Sequence, residues 1–260
     1  MNNFSILTTN ARSLRPKIQS LLDYMNELEV SVALILETWL KDNNEMDRLK
    51  DDTEYGHDVG IIAKHRPRRK NDSYVAGGGV AILYNKQLVA LKEYTVCKNN
   101  FEVVTAVGKL PNIKNKLIII SAYAPPRLTA SQRDGLLKLI GDIINKAKRY
   151  FDDPFVVLGG DFNQTHAEAV TDRFADIKLL DSAATWGTHV LDKILTNLPA
   201  CTTAVKQPLE SQCGTRTSDH RTLVVSTFIQ NIDKFTIRTV EFRKYTKEGQ
   251  HGLDGDPWTK

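Results

Sequence analysis

The stretch Phe155-Val156-Val157-Leu158-Gly159-Gly160-Asp161-Phe162-Asn163 decides how the chain is read. Its apolar half is short and rich in branched side chains, as a strand buried on both faces should be. It runs without a break into a glycine pair and then presents a carboxylate and a carboxamide two residues apart, on one face of an extended segment. Glycine, aspartate and asparagine also favour plain turns, so this segment alone leaves a turn and a site equally open.

Other apolar runs are bounded in the same way. FSILTT (4–9) reads as a first strand with Asn10, Ala11 and Arg12 at its exit, and VALILETW (32–39) as a second, with Glu37 at its end. Ser218-Asp219-His220-Arg221 precedes the apolar run TLVVSTF (222–228), which places a carboxylate and an imidazole at a strand entry. Rigid strands can aim side chains from distant sequence positions into one crevice, so chemistry on α/β scaffolds gathers at strand ends. Singly, each group has a bland reading as a solvated strand end or a capped turn.

Between these runs, Pro16 opens a helix whose apolar residues Ile18, Leu21, Leu22, Met25 and Leu28 recur at helical spacing. GGGVAILYN (77–85) reads as a strand preceded by glycines that let the backbone turn or approach something closely. Strands at 101–109 and 116–123 are joined through Pro111-Asn112 as in a hairpin. A helix is predicted from Ser131, its cap, to about Lys148, followed by a short helix near 166–175 and a strand near 190–196. Residues 41–72 are polar and charged and read as a long insertion. Strands and helices in this order predict an α/β protein, a four-layer α/β sandwich of two packed mixed β-sheets flanked by helices.

The composition fits one such unit. At 260 residues, 41% hydrophobic and 25% charged, the chain can bury a sizeable core. One domain over 1–230 is expected, with 231–260 a charged linker or tail. The net charge of +4 is too small to imply an acidic partner by itself. The N-terminus lacks the basic region and apolar run of a signal peptide, and no window approaches the roughly 18 apolar residues of a membrane span. A soluble intracellular protein is expected. The three cysteines, Cys97, Cys201 and Cys213, show no Cys-x-x-Cys spacing and indicate neither a disulfide framework nor a zinc site.

Six segments, taken in order, carry a resemblance: NAR (10–12), LILETW (34–39), SAYAPP (121–126), GGDFN (159–163), LDKIL (191–195) and SDHR (218–221). Together they resemble the successive signature motifs of the exonuclease-endonuclease-phosphatase superfamily, which includes deoxyribonuclease I and abasic-site endonucleases. The resemblance covers roughly residues 4–228. Within the superfamily the compact length, the GGGVAIL strand and the tail around Phe242-Arg243 most resemble the endonuclease domains of non-LTR (LINE-like) retrotransposons, where such a tail leads toward a reverse transcriptase.

The resemblance implies a metal-dependent endonuclease that nicks duplex DNA in the nucleus to prime target-site retrotransposition. It makes Glu37 the principal magnesium ligand, with Asn10 and Asp219 completing or supporting the metal site; Mn²⁺ is a possible substitute. Asp161 would orient and deprotonate the attacking water, aided by Asn163. Tyr123 would contact the scissile phosphate or assist the leaving oxygen, and His220 would bind the phosphate, oriented by Asp192. These residue types suit the chemistry, since Mg²⁺ prefers oxygen ligands and keeps several waters, and phosphodiester cleavage needs an aligned nucleophile and positive charge on the phosphate. The family often has Arg before the Leu-Asp pair and an aromatic after it, whereas Val190 and Lys193 stand here. Asp192 therefore also reads as an exposed strand carboxylate.

For the partner, Arg12 is placed to touch a phosphate near the metal. The run Lys64-His65-Arg66-Pro67-Arg68-Arg69-Lys70 is the densest positive charge in the chain. Arg66, Arg68, Arg69 and Lys70 could contact DNA phosphates, form a nuclear address or lie on a solvated loop. The polar segment 197–217 reads as a hairpin or loop beside the cleft. Two other functions stay open: a superfamily phosphodiesterase acting on an RNA tail or phospholipid, and a catalytically silent DNA- or protein-binding scaffold. Complete polar motifs argue against the silent scaffold, and the lack of a membrane element against the lipid enzymes.

Overall fold

The structure is a computed structural model that describes residues 2–53, 55–65, 77–93, 101–209 and 218–229. Its elements are β1 (Asn2–Asn10), α1 (Ile18–Glu27), β2 (Val32–Leu36), α2 (Asn43–Asp51), β3 (Val59–Lys64), β4 (Val80–Asn85), β5 (Ala90–Glu93), β6 (Glu102–Lys109) and β7 (Lys116–Tyr123). They continue with α3 (Ala130–Tyr150), β8 (Phe155–Asp161), α4 (Glu168–Arg173), β9 (Lys178–Leu179), β10 (Asp192–Thr196), β11 (Thr202–Lys206) and β12 (Thr222–Ile229). Two six-stranded sheets result, one ordered β11-β12-β1-β2-β4-β3 and the other β5-β6-β7-β8-β10-β9. Each is mixed, with a single parallel pair at its centre: β1 with β2, and β7 with β8.

Side-chain alternation builds four layers from these sheets. Phe4, Ile6, Val32, Leu34, Leu36, Ile119, Val157, Ile194 and Leu223 share one core between the sheets. The residues that alternate with them face the helices. Leu7, Ala33 and Ile35 pack with Leu21, Leu22 and Met25 of α1, while Ile118, Ile120, Val156 and Leu158 pack with Leu136, Ile140 and Ile144 of α3. The expected sandwich is what the chain forms.

Several boundaries differ from expectation for local reasons. β2 stops at Leu36 rather than running to Trp39, because Glu37 and Trp39 take φ values of 50° and 55°. Thr38 and Trp39 instead donate backbone hydrogen bonds to Gly79 (3.1 Å) and Gly78 (2.9 Å), ahead of β4. α3 is capped by Thr129, not Ser131. The Thr129 hydroxyl accepts from the Gln132 amide (3.2 Å), and the Gln132 side chain accepts from the Thr129 amide (2.9 Å), a reciprocal capping box.

The supposed insertion at 41–72 holds α2 and β3 in its described part. Buried Met46 pins α2 to the outer face of the first sheet, and β3 is that sheet's edge strand, paired with β4. Residues 202–206 of the segment 197–217, expected as a hairpin or loop, form the edge strand β11, which pairs antiparallel with β12, Lys206 opposite Thr222. Arg66, Arg68, Arg69, Lys70, residues 210–217 and the tail 231–260 lie outside the described residues.

Candidate active site

Strand register carries distant residues into one row. Tyr123 pairs with Asp161 at the ends of β7 and β8, and Asp161 pairs with Asp192 at the start of β10. Residues opposite one another in a sheet share a face, and these three continue the intersheet parity set by Ile119, Val157 and Ile194. Asn10 ends β1 opposite Leu36, so Glu37 follows at once. The site is therefore the polar end of the core between the two sheets.

The glycine pair lets neighbouring groups approach closely beside this row. An ideal Cβ on Gly159 would lie 2.4 Å from Leu34 Cδ1 across the core, and one on Gly160 would lie 1.8 Å from the Ala122 carbonyl oxygen. A side chain at Gly160 would push β8 from β7, the strands that present Asp161 and Tyr123, whereas one at Gly159 would displace the Leu34 side chain in the core between the sheets.

Asn10 stands at the centre. Its Nδ2 donates to Glu37 Oε1 (2.9 Å) and to Asp161 Oδ2 (3.0 Å), which joins a carboxylate from each sheet. Glu37 Oε1 also accepts from the Tyr123 hydroxyl (2.7 Å), and Oε2 from the Trp39 indole (3.1 Å). Asp161 is 1% exposed, and its Oδ1 accepts the Asn163 amide (3.0 Å). The Asn163 side chain donates to the Ala124 carbonyl (3.0 Å).

Asp192, fully buried and not the exposed strand carboxylate that its motif also allowed, meets His220 Nδ1 through Oδ2 at 2.8 Å. Ser218 locks the two sides together. Its hydroxyl donates to the Asn10 carbonyl (2.6 Å) and accepts the His220 amide (3.1 Å).

Backbone strain concentrates here. Arg12, Ser13, Glu37, Trp39 and Asn163 all have positive φ, a conformation that non-glycine residues hold only where their surroundings impose it. Buried Lys17 imposes it on the segment after Asn10, donating from Nζ to the carbonyls of Ala11 (2.8 Å), Arg12 (3.0 Å) and Ser13 (3.3 Å).

The electrostatics match the crowding. Burial and then the Asp192 carboxylate push Asp161 up to about 7, against the opposing effect of Asn10, His220 and the Asn163 amide. For His220, burial pulls downward, but the hydrogen bond and charge of Asp192, with Asp161 and Asp219, leave the imidazole above its ordinary value. Burial and Glu37 push the Tyr123 hydroxyl upward, so it stays a neutral donor.

A divalent cation fits this donor set. Asp161 and Asp192 bring carboxylate oxygens within 4.8 Å of each other and of a His220 ring nitrogen, the imidazole being engaged by Asp192 through Nδ1, and Asp192 Oδ1 is buried with no hydrogen-bond partner among the described residues. Glu37, joined to Asp161 through Asn10, adds a third carboxylate. Buried carboxylates in contact resist joint ionisation, and oxygen-rich clusters of this kind suit hard cations.

Asp219 sits at the rim. Its Oδ2 accepts from the Arg12 guanidinium (2.7 Å) and from the Trp186 indole (3.0 Å), so the expected metal and phosphate residues of this edge pair with each other. Sequence reasoning missed Trp39, Thr185, Trp186 and Ser218. Trp39 and Ser218 lie inside the signature motifs, whereas Thr185 gives no signal because it acts on backbone groups. Its hydroxyl accepts the Leu191 and Asp192 amides (both 3.1 Å), and its carbonyl accepts the Arg221 amide (2.7 Å).

A two-sheet sandwich with carboxylates gathered at one end of its core is the framework of metal-dependent phosphodiesterases. The chain belongs to the Endonuclease/Exonuclease/phosphatase family, whose model matches residues 4–220. No curated protein matches the sequence. Among solved structures, D. rerio TDP2 complexed with a single-strand DNA product is similar at a TM-score of 0.63 and 16% identity, over 87% of this chain and 99% of that one. The endonuclease domain of TRAS1, a telomere-specific non-LTR retrotransposon, is similar at 0.59 and 14%, over 88% and 100%. The human Nocturnin catalytic domain with a bound sulfate anion is similar at 0.60 and 14%, over 86% and 93%. At these identities the likeness is one of fold.

Proposed function

We propose that the chain is a Mg²⁺-dependent endonuclease that nicks duplex DNA, serving in the nucleus as the endonuclease part of a non-LTR retrotransposon polyprotein with a reverse transcriptase beyond it. Mn²⁺ would substitute for Mg²⁺. The observation that carries the chemistry is Asn10 bridging Glu37 and Asp161 (2.9 and 3.0 Å), with Asp192 and His220 beside them. The choice of DNA is supported by the motif order and by two neighbours of the same fold, a DNA complex and a retrotransposon endonuclease.

Glu37 and Asn10 would hold the cation, with Asp161 and Asp192 contributing negative charge. When bound, the cation supplies positive charge to the phosphate and eases deprotonation of water. Asp161, with its raised pKa, is suited to take the proton of the attacking water near neutral pH, and Asn163 fixes its carboxylate through a backbone amide. His220, kept protonated to higher pH by Asp192, offers positive charge to the phosphate. Tyr123 holds Glu37 in place, and Arg12 at the rim can exchange Asp219 for a phosphate.

The test is incubation of supercoiled plasmid with the protein, with and without Mg²⁺, followed by mapping of strand breaks. Metal-dependent conversion to open circles supports the proposal. Intact plasmid, together with release of nucleoside monophosphates from an RNA tail, or of phosphate or a phosphorylated headgroup from a phospholipid, would move the chain to another branch of its family.

A further inference from the structure

The loop that carries Glu37 is gripped from two sides. On one, the carbonyls of Glu37 and Thr38 accept the amides of Ser13 (2.9 Å) and Leu14 (3.0 Å), in the segment that Lys17 fixes. On the other, the Thr38 and Trp39 amides donate to the carbonyls of Gly79 (3.1 Å) and Gly78 (2.9 Å), and the Trp39 indole donates to Glu37 Oε2 (3.1 Å). Gly79 has a φ of 86°, and an ideal Cβ on it would lie 2.5 Å from Thr38 Oγ1. The grip on this side therefore needs glycine.

The glycine side is anchored by the other sheet. Glu102 opens β6 opposite Tyr123, on the face that Val104 and Ala106 turn to the core between the sheets. It is 9% exposed, and its Oε2 accepts the Gly79 amide at 2.6 Å. Burying a carboxylate is costly, and hydrogen bonds to its charged form offset that cost. Here the donor is the amide of the residue whose carbonyl holds Thr38. Lys64, across from Val80 in the β3–β4 ladder, joins the same two places again by donating to the Phe101 carbonyl (2.6 Å). Neighbouring Tyr123 crosses the gap between the sheets to Glu37 Oε1 (2.7 Å). Side by side on the second sheet, Glu102 and Tyr123 thus fix the Glu37 loop of the first, one through the glycines and the other directly.

We propose that Glu102 is a positioning residue for the cation site: by accepting the Gly79 amide it holds the glycines in the conformation that keeps Glu37 turned toward Asn10 and Asp161. This rests on the reading of Glu37 as a cation ligand and adds the group that sets its geometry. What the site needs at residue 102 is an acceptor at the reach of a glutamate, more than a negative charge. Groups that orient metal ligands change metal affinity by about 10- to 100-fold when removed.

The test is Mn²⁺ binding to the protein without DNA, followed by the electron paramagnetic resonance of the free ion. Glu102→Gln keeps an acceptor at the same reach and loses the charge, so it should bind Mn²⁺ within a few-fold of wild type. Glu102→Asp keeps the charge and draws the acceptor back by one methylene, so its affinity should fall by about 10-fold or more. Thermal unfolding in EDTA separates this from stability, since a change that only loosens the fold lowers Tm while the folded protein binds the ion as wild type does. Wild-type affinity in Glu102→Asp would overturn the proposal. An equal loss in Glu102→Gln would overturn it too, and would assign the effect to charge. Glu37→Ala keeps the two readings apart. If it loses Mn²⁺ while Glu102→Asp does not, Glu37 stands as a ligand and only the role of Glu102 fails; if it binds Mn²⁺ as wild type does, the cation reading of Glu37 fails and the positioning role with it.

Discussion

Asp161→Asn should flatten the pH dependence of stability in the metal-free protein while ending nicking. Asp161 is 1% exposed, and burial followed by the Asp192 charge raises its pKa from 3.8 to about 7. At 1.36 kcal/mol per unit, its ionisation costs the folded state about 4 kcal/mol relative to the unfolded chain. Because the folded value lies above the unfolded one, the stability is fully present below about pH 4 and is lost as pH rises toward 7 and beyond. Roughly 2–3 kcal/mol of that loss falls between pH 5 and pH 8, worth about 5–10 °C in Tm for a domain of this size.

The variant has no charge to lose at that position. It does place an amide N–H₂ against one of the two donors now bound by Asp161, Asn10 Nδ2 or the Asn163 amide, at a pH-independent cost of about 1 kcal/mol. It should therefore lie within about 1 kcal/mol of wild type at pH 5 and be about 3 kcal/mol more stable at pH 8. Thermal unfolding in EDTA across that range measures both slopes. Added Mg²⁺ at pH 8 should raise the wild-type Tm more than that of the variant. Parallel slopes for the two proteins would refute the electrostatic account of the site.

Other expectations are shorter. Asp192→Asn removes what holds the His220 pKa up, so the alkaline fall in nicking rate should move to lower pH, with the maximal rate down about 100-fold or more; an unmoved limb would detach His220 from Asp192. Gly160→Ala places a methyl 1.8 Å from the Ala122 carbonyl oxygen and should cost about 3 kcal/mol or more in denaturant unfolding; a wild-type midpoint would contradict that approach. Neutralising Arg66, Arg68 and Arg69 should lower the log-log salt slope of DNA binding by about one unit per lost phosphate contact and spare the cleavage rate of bound DNA. An unchanged slope would make the run a solvated loop or a targeting signal.

The row of polar residues at the strand ends was legible because strand periodicity does the positioning. Asn10, Tyr123 and Asp161 fall on the same alternation as the apolar residues before them, so the face that buries the core also presents the site. Asp192 was harder, since β10 is short and its pairing with Asp161 depends on register rather than pattern. β5, β9 and β11 are short edge or near-edge strands of mixed polarity, with too few buried side chains to show a period. The insertion at 41–72 hid α2 because one buried residue, Met46, anchors it with partly buried Leu49. The choice of Thr129 over Ser131 as cap turned on a reciprocal bond to Gln132, which the sequence ThrAlaSerGln permits but does not single out. The rim contacts of Asp219 with Arg12 and Trp186 join segments far apart in the chain, and no local pattern announces them.

The most direct test of the whole account compares wild type with Glu37→Ala on supercoiled plasmid in Mg²⁺, with DNA binding measured alongside. Glu37 is joined to Asn10 and Tyr123 at the meeting of the two sheets, while basic side chains supply most non-specific affinity. The account predicts that the variant binds DNA within a few-fold of wild type and loses nicking by about 1,000-fold or more. Undiminished nicking by Glu37→Ala would remove Glu37 from the metal site and contradict the account.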